Sequence, residues 1–345
     1  MIEPLSSQFQ CSDVYLNSAT VGLACNGSIE AMQADLQKWA SGKVNPFEYD
    51  AIVNRCRELF ASLVGAETGE VLIANQVSTS IGLLAASFTK GTKILAPEGD
   101  FASVLFPLMA QQSRGIELTL VPHDQLVESI SSKYDWVVCS IAQSSNGKVI
   151  EPSQLSRAAK AVGCKILLDG TQSVGWMPVN REDWDVLVCG TYKWLLSPRG
   201  TAFAAIKPEL YESITPINAN WYSGESPWES IYGSPLRLDS SARQYDISPA
   251  WLNWVGTLPA LELISSIGVE AINKHNVGLA NQFCKRMGLS PTDSAIVSVK
   301  VDGKEANLMN AGVTASIRDE ALRLSFHLYN CEKDVDSVIN AIMDF

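Results

Sequence analysis

The sequence predicts an α/β fold: a mostly parallel, seven-stranded sheet sandwiched by helices, followed by a small α+β lobe. Two observations carry this. From about residue 27 to 206, short apolar runs alternate with helical patterns, the signature of strand–helix units that build a parallel sheet. Several of those runs are nearly all-apolar, as strands covered on both faces must be. The composition, with 46% hydrophobic and 18% charged residues among 345, allows a sizeable core and argues against disorder.

In chain order, helical stretches are expected at 28–39 and 50–63, a strand at 71–74 and a helix at 80–87. A strand at 93–96 and a helix at 103–112 follow, then strands at 118–121 and 136–139 and a helix at 152–162. The remaining sheet strands are expected at 166–168, 186–188 and 202–205. Segment 216–250 is rich in Trp, Tyr, Ser, Pro and Gly and reads as a long ordered loop, of the kind that tends to be functional. Its aromatic residues Trp221, Tyr222, Trp228 and Tyr232 suit either a substrate wall or a subunit interface. A helix is expected from near Pro249 to Ile267, with the proline in its first turn. The last part reads as helix 269–287, strands 295–301 and 322–326, and helix 334–343. The expected domains are a large one over 12–250 and a small one over 251–345 that also takes in 1–11.

Charge and cysteine usage exclude several classes. The net charge is −11 with no basic stripe, which argues against nucleic acid and against an anionic membrane surface as partners. Eight scattered cysteines without a C-x-x-C pair read as reduced, mostly buried residues. Residues 1–5 show no basic region leading into an apolar stretch, and no apolar run approaches the ~20 residues of a membrane span. The expected location is therefore cytoplasmic. Three histidines, His123, His275 and His327, have no metal-ligand spacing, so no metal is expected.

The chemistry concentrates at strand ends. In parallel sheets ligands bind beyond the carboxyl ends of the strands. Asp169 ends the run Ile166-Leu167-Leu168, and Lys193 follows Val186-Leu187-Val188 among apolar neighbours, Tyr192 and Trp194. An amine in such a setting has a lowered pKa and becomes a nucleophile. A lysine and an acid on adjacent buried strands are what pyridoxal phosphate (PLP) requires: an amine to form a Schiff base and a carboxylate to keep the pyridine nitrogen protonated. The stretch Asn75-Gln76-Val77-Ser78-Thr79 opens a helix and offers hydroxyls and free N–H groups to an anion, or merely a helix cap. Phe101 can lie on a cofactor ring or pack in its loop. Arg323, inside the alternating strand Leu322-Arg323-Leu324-Ser325-Phe326, needs an anionic partner, either a substrate carboxylate or an internal acid.

Taken together, these residues resemble the fold-type I PLP enzymes of the class V aminotransferase superfamily, which also holds cysteine desulfurases, kynureninase-like lyases and isopenicillin N epimerase-like proteins. The likeness runs from Tyr15-Leu16-Asn17-Ser18-Ala19-Thr20-Val21-Gly22, similar to Y-L-D-N-A-A-T-G, to Arg323-Leu324-Ser325-Phe326-His327-Leu328-Tyr329-Asn330, similar to R-x-S-x-H-x-Y-N. The resemblance implies that Lys193 is the Schiff-base lysine, that Asp169 bonds the pyridine nitrogen and Gln172 the ring's 3-oxygen, and that Phe101 stacks on the ring. It implies phosphate contacts from Ser78 and Thr79. Arg323 would hold the substrate carboxylate, with Asn17 nearby and Gln143, Ser144 or Asn146 at a further aligned position. Ser248, in a segment similar to R-F-E-x-G-T, would reach the phosphate of a neighbouring subunit, implying a homodimer with shared sites.

Three departures stand out. Tyr192 replaces the usual histidine and Gly190 a phosphate-binding serine, so Tyr192 or Thr191 would have to compensate. Residues 314–320 contain no cysteine, and Cys331 reads as structural, which argues against a desulfurase that forms an enzyme persulfide. The expected activity is a PLP-dependent aminotransferase or β-lyase on a small or aromatic amino acid. A desulfurase-like sulfur transferase and an amino-acid epimerase are the enzymatic alternatives, and a PLP-binding regulator or scaffold is the non-enzymatic one.

Overall fold

The structure, a computed structural model, describes residues 5–11, 13–301 and 303–343. Residues 1–4, part of the N-terminal stretch read above, lie outside the described residues, as do residues 12 and 345, which bound the expected domains. The elements are β1 Val14–Tyr15, α1 Asn26–Ala40, α2 Pro46–Val64, β2 Val71–Ala74, α3 Val77–Ser87, β3 Lys93–Pro97, α4 Ala102–Met109, β4 Glu117–Val121, α5 Leu126–Ser129, β5 Trp136–Ser140 and α6 Pro152–Val162. They continue with β6 Lys165–Asp169, β7 Val186–Gly190, β8 Ala202–Ile206, α7 Trp251–Ile267, α8 Val269–Arg286, β9 Ile296–Val299, α9 Glu305–Asn310, β10 Val313–Thr314, β11 Ser316–Arg318, β12 Ala321–Ser325 and α10 Glu332–Met343.

The main sheet has seven strands in the order β2-β8-β7-β6-β5-β3-β4. The strands from β3 to β7 pair in parallel, and β8 alone runs antiparallel to both its neighbours. Alternate side chains enter two cores, one on each face. Val71 and Ile73 join Val53 and Phe60 of α2 on one side, whereas Leu72 and Ala74 join Ile81 and Leu84 of α3 on the other. This two-sided burial is why the strands read as apolar runs. The helix ends follow from local chemistry: Asn45 caps α2 by accepting from Phe47 N at 3.2 Å, Pro46 and Pro152 open α2 and α6, and Gly65 and Gly163 end them with φ of 69° and 73°.

The C-terminal lobe is a three-stranded antiparallel sheet, β11-β12-β9, backed by Phe283 of α8 and Val338 of α10 around Phe326. The two-residue strand β1 pairs in parallel with β10 and stitches the N-terminal segment onto this lobe. Pattern reading does not find β1, β10, β11, α5 or α9, because these short elements lack the nearly all-apolar run that marks the main-sheet strands.

Several expected boundaries move: the helices expected from 50 and 80 begin at Pro46 and Val77, and the strand expected over 295–301 covers Ile296–Val299. The helix expected near Pro249 begins at Trp251, with Ala250 as its cap, so the proline precedes the first turn. The helix expected to 112 ends at Met109 and gives way to a 3-10 turn over Gln112–Arg114. The expected domain bound at 250/251 falls at the head of α7, which packs on α1 and α2. Segment 216–250 is ordered by short 3-10 turns, Trp221–Ser223, Pro227–Glu229 and Ala242–Tyr245. Among the described residues no single helix is long and apolar enough to cross a membrane.

Candidate active site

The carboxyl ends of β5, β6 and β7 open into a cavity of about 300 Å³ walled by Ser140, Asp169, Gly190 and the loops that follow them. Asp169, the last residue of β6, is 4% exposed. Its Oδ1 accepts from Thr171 N at 2.8 Å. Burial pushes its carboxyl up to about 6, against the opposing pull of Thr171 and Lys193. Lys193 is also 4% exposed. Burial pulls its amine down to about 8, and Arg323 adds to the depression while Asp169 opposes it. Among the described residues no hydrogen bond or ion pair engages its Nζ. The amine lies 5.1 Å from the ring centre of Phe101, an aromatic side chain left 43% exposed.

The loop that carries Lys193 is tightly held. Thr191 ties the two strands it connects, its Oγ1 lying 2.9 Å from the Thr201 carbonyl. Leu196 adopts a left-handed backbone, φ 56°, a strained conformation for a non-glycine residue. Gly22 N donates to Tyr192 O at 2.9 Å. A Cβ on Gly22 would lie 2.0 Å from Lys193 O, so the N-terminal segment can strap the loop only with glycine there. From the other side, His327 sits 3.1 Å from the Trp194 carbonyl through Nε2, and its Nδ1 accepts from Leu328 N at 2.7 Å. That arrangement makes Nε2 the protonated nitrogen. Burial holds the ring neutral, its pKa down to about 3.

A second network joins three distant segments. Gln172 Nε2 donates to Ala19 O at 2.9 Å and to Ser144 Oγ at 3.0 Å, while its Oε1 accepts from Trp194 Nε1 at 2.9 Å. Arg323 donates to Ser144 O and to Thr20 Oγ1 at 2.6 Å. It is 2% exposed, its Nε has no partner, and no carboxylate pairs with it among the described residues. Burial, with Arg318 as a second cause, lowers its pKa to about 10. Strand register explains the second cause: Ser316 pairs with Arg323, which puts Arg318, two residues on, on the same face of the hairpin.

The family model for aminotransferase class-V matches residues 14–316. The chain belongs to the aminotransferase class-V family. It is a PLP-dependent enzyme of that family. Over 307 residues it is 25% identical to the "Uncharacterized aminotransferase YcbU" of Bacillus subtilis, covering 83% of this chain and 82% of that one. It is 24% identical over 297 residues to a kynureninase of Shouchella clausii, covering 78% and 69%. In fold it is similar to the cysteine desulfurase CsdA of Escherichia coli, with a TM-score of 0.84, 20% identity and coverage of 100% and 98%. It is similar also to the cystine C-S lyase C-DES, with a TM-score of 0.87, 17% identity and coverage of 97% and 98%.

The cavity suits this family's cofactor on its own terms. It contains a buried acid without a cation paired to it, a buried amine without an acid paired to it, and a half-exposed aromatic ring beside that amine.

Of the residues singled out from sequence, Phe101, Asp169, Gln172, Tyr192 and Lys193 share this cavity wall. Arg323 adjoins it through Ser144. Asn17 and Gln143 lie outside the wall, and each keeps a buried atom, Oδ1 and Nε2 respectively, without a partner. Ser78 and Thr79 lie outside it too: the wall takes Asn75, Gln76 and Val77, and Thr79 Oγ1 donates to Asn75 Oδ1 at 2.7 Å. Ser248 is exposed and accepts from Trp221 Nε1 at 3.2 Å. Trp221, Tyr222, Trp228 and Tyr232 do not line the cavity. Trp228 packs instead on Phe47 of α2, ring centres 4.3 Å apart.

Sequence reading missed Asp100, Thr20 and Arg199. Asp100 accepts from Ser140 N at 2.7 Å, Ser140 Oγ at 2.6 Å and Phe101 N at 2.6 Å, so one carboxylate fixes both the end of β5 and the backbone of Phe101. An acid closing the turn Pro97-Glu98-Gly99 was the available signal. Thr20 and Arg199 carry no local signal, since only the folded chain brings them to the site.

Proposed function

We propose that the protein is an aminotransferase or β-lyase of a small or aromatic amino acid, with Lys193 as covalent anchor of PLP and as the base at the substrate α-carbon. One observation carries this: Lys193 and Asp169 are buried in one cavity without ion-pair partners of their own and are displaced in opposite directions, to about 8 and about 6. Bound there, PLP supplies an electron sink for the pair left on a carbon that loses its proton. An amine near 8 is partly neutral at physiological pH, and a neutral Nζ can take and return that proton. Asp169 holds the proton of the pyridine nitrogen, and Phe101 covers the ring. Gln172 reaches the ring's 3-oxygen by exchanging Ser144 for it, because both its N–H donors are committed. Arg323 takes the substrate carboxylate, which supplies the anion its buried guanidinium lacks. Asn17 and Gln143 offer their unpartnered atoms to the same substrate.

The phosphate end draws on Tyr192 and on the start of α3, where Ser78 and Thr79 follow the wall residue Val77. Ser248, exposed and outside this cavity, supports a homodimer in which it serves the second active site. No cysteine lines the cavity among the described residues. Cys139 and Cys189 are fully buried with thiols pushed well up, and Cys331 adjoins a separate cavity with Cys11. A persulfide-forming desulfurase or other sulfur transferase therefore ranks below the aminotransferase and lyase readings.

The test uses protein saturated with PLP, which should absorb near about 420 nm and, after borohydride reduction, carry the cofactor mass on Lys193. Single amino acids are then screened for a shift of that band, with amino transfer to 2-oxo acids, pyruvate, ammonia and sulfide assayed as products. A Lys193→Ala protein that keeps the band through dialysis refutes the assignment.

A further inference from the structure

PLP brings a dianionic phosphate, and an anion drawn into a cavity needs a cation or a set of N–H donors. The cavity wall holds two cationic side chains, Lys193 and Arg199. Under the function proposed above, on which this inference rests, Lys193 is consumed by covalent attachment and its charge is tied to the ring. Arg199 is left.

Its placement is specific. The guanidinium carbon stands 5.3 Å from the ring centre of Tyr192, and Lys193 Nζ stands 5.7 Å from the same ring. One aromatic ring is thus the platform for both cations. The backbone around Arg199 is pinned, because its carbonyl accepts from Asn253 Nδ2 at 3.0 Å. The next residue, Gly200, has φ +112°, and a Cβ there would meet Asn253 Nδ2 at 2.4 Å. Among the described residues no carboxylate or hydrogen-bond acceptor takes up the guanidinium.

The same wall includes Gln76 and Val77 at the start of α3. Gln76 caps that helix with no side-chain hydrogen bond, and the N–H groups of Val77 and Ser78 have no acceptor among the described residues. The cavity wall therefore joins an unpaired planar cation to the unpaired backbone donor of Val77, with that of Ser78 next along the helix. The position beside them that would offer a hydroxyl on β7 is Gly190, which offers none.

We propose that Arg199 is the phosphate-binding cation of this enzyme, holding the PLP phosphate from its platform on Tyr192 together with the free N–H groups of α3. Its fork of donors suits a phosphate better than the single ammonium of lysine would.

The test compares PLP with pyridoxal, the same ring without phosphate, on cofactor-stripped full-length protein. Binding is followed by absorbance for wild type, Arg199→Gln and Arg199→Lys. Loss of one charge-assisted contact predicts about 10- to 100-fold weaker PLP binding in R199Q, unchanged pyridoxal binding and an intermediate value for R199K. The ³¹P resonance of bound PLP should shift in R199Q and not in a control, Lys43→Gln, outside the cavity. PLP affinity equal to wild type in R199Q overturns the proposal. So does an equal loss for PLP and pyridoxal, which would make the arginine only a packing partner of Tyr192. If wild type binds neither compound, the underlying cofactor reading falls first and the proposal with it.

Discussion

Lys193 should cost the cofactor-free protein stability, and the size of that cost follows from its surroundings. The amine moves from 10.5 to about 8 because the folded chain buries it. At 1.36 kcal/mol per pKa unit the charged form is disfavoured by about 3 kcal/mol on folding. Replacing it with methionine, an apolar chain of similar length, removes this cost. That figure already contains the opposing attraction of the Asp169 carboxylate, itself raised from 3.8 to about 6. The net gain expected for Lys193→Met at pH 7 is therefore about 3 kcal/mol, or about 4 °C in Tm for a chain of this size.

The pH dependence gives the sign. Well below pH 8 the lysine is protonated in both folded and unfolded chains and the penalty is nearly complete. Between pH 8 and 10.5 the folded state binds fewer protons than the unfolded one, so wild-type stability rises relative to the variant. The two proteins should converge by about pH 10.5. Thermal denaturation of both at pH 7, 8, 9 and 10, after removal of PLP with hydroxylamine, reads this directly. A Lys193→Met protein no more stable than wild type at pH 7, or a gap that does not narrow with pH, would show that the amine is not desolvated as described.

Other consequences can be read from single contacts. Arg57 and Asp246 form a buried pair at 2.6 Å, 1% and 0% exposed, and Asp246 Oδ1 also accepts from Ile73 N at 2.8 Å. Asp246→Ala leaves the arginine charged and uncompensated, so the urea midpoint should fall by the equivalent of about 3–5 kcal/mol; a loss below about 1 kcal/mol would mean that water reaches the arginine. Gly22→Ala drives a methyl group against Lys193 O and should lower stability by about 1–3 kcal/mol while loosening PLP; normal cofactor retention on dialysis would show that this strap does not hold the lysine. Arg323→Gln should weaken amino-acid binding by about 100-fold, measured by spectral titration, yet barely affect the corresponding amine without a carboxylate; equal losses for both ligands would remove Arg323 from carboxylate recognition.

The local pattern of this chain determined its seven sheet strands, each within two residues of where apolar runs place them. A strand buried on both faces must be apolar along its length, so its identity is written in consecutive residues. The same logic exposed Asp169 and Lys193, polar residues at the ends of such runs. Tertiary structure decided the rest of the site. Ser144 is one of three alternatives in a polar loop; Gln172, in the loop after β6, and Arg323 of β12 converge on it. Asp100, Thr20 and Arg199 look like ordinary surface residues in sequence. Each reaches the cavity or its neighbours only in the folded chain, which no local periodicity encodes. The start of α3 shows the same dependence: its register turns the Thr79 hydroxyl onto Asn75 and leaves the backbone N–H groups of Val77 and Ser78 free. A short stretch of sequence constrains which residues are buried; which buried and exposed groups face one another depends on how the whole sheet and the N-terminal strap are assembled.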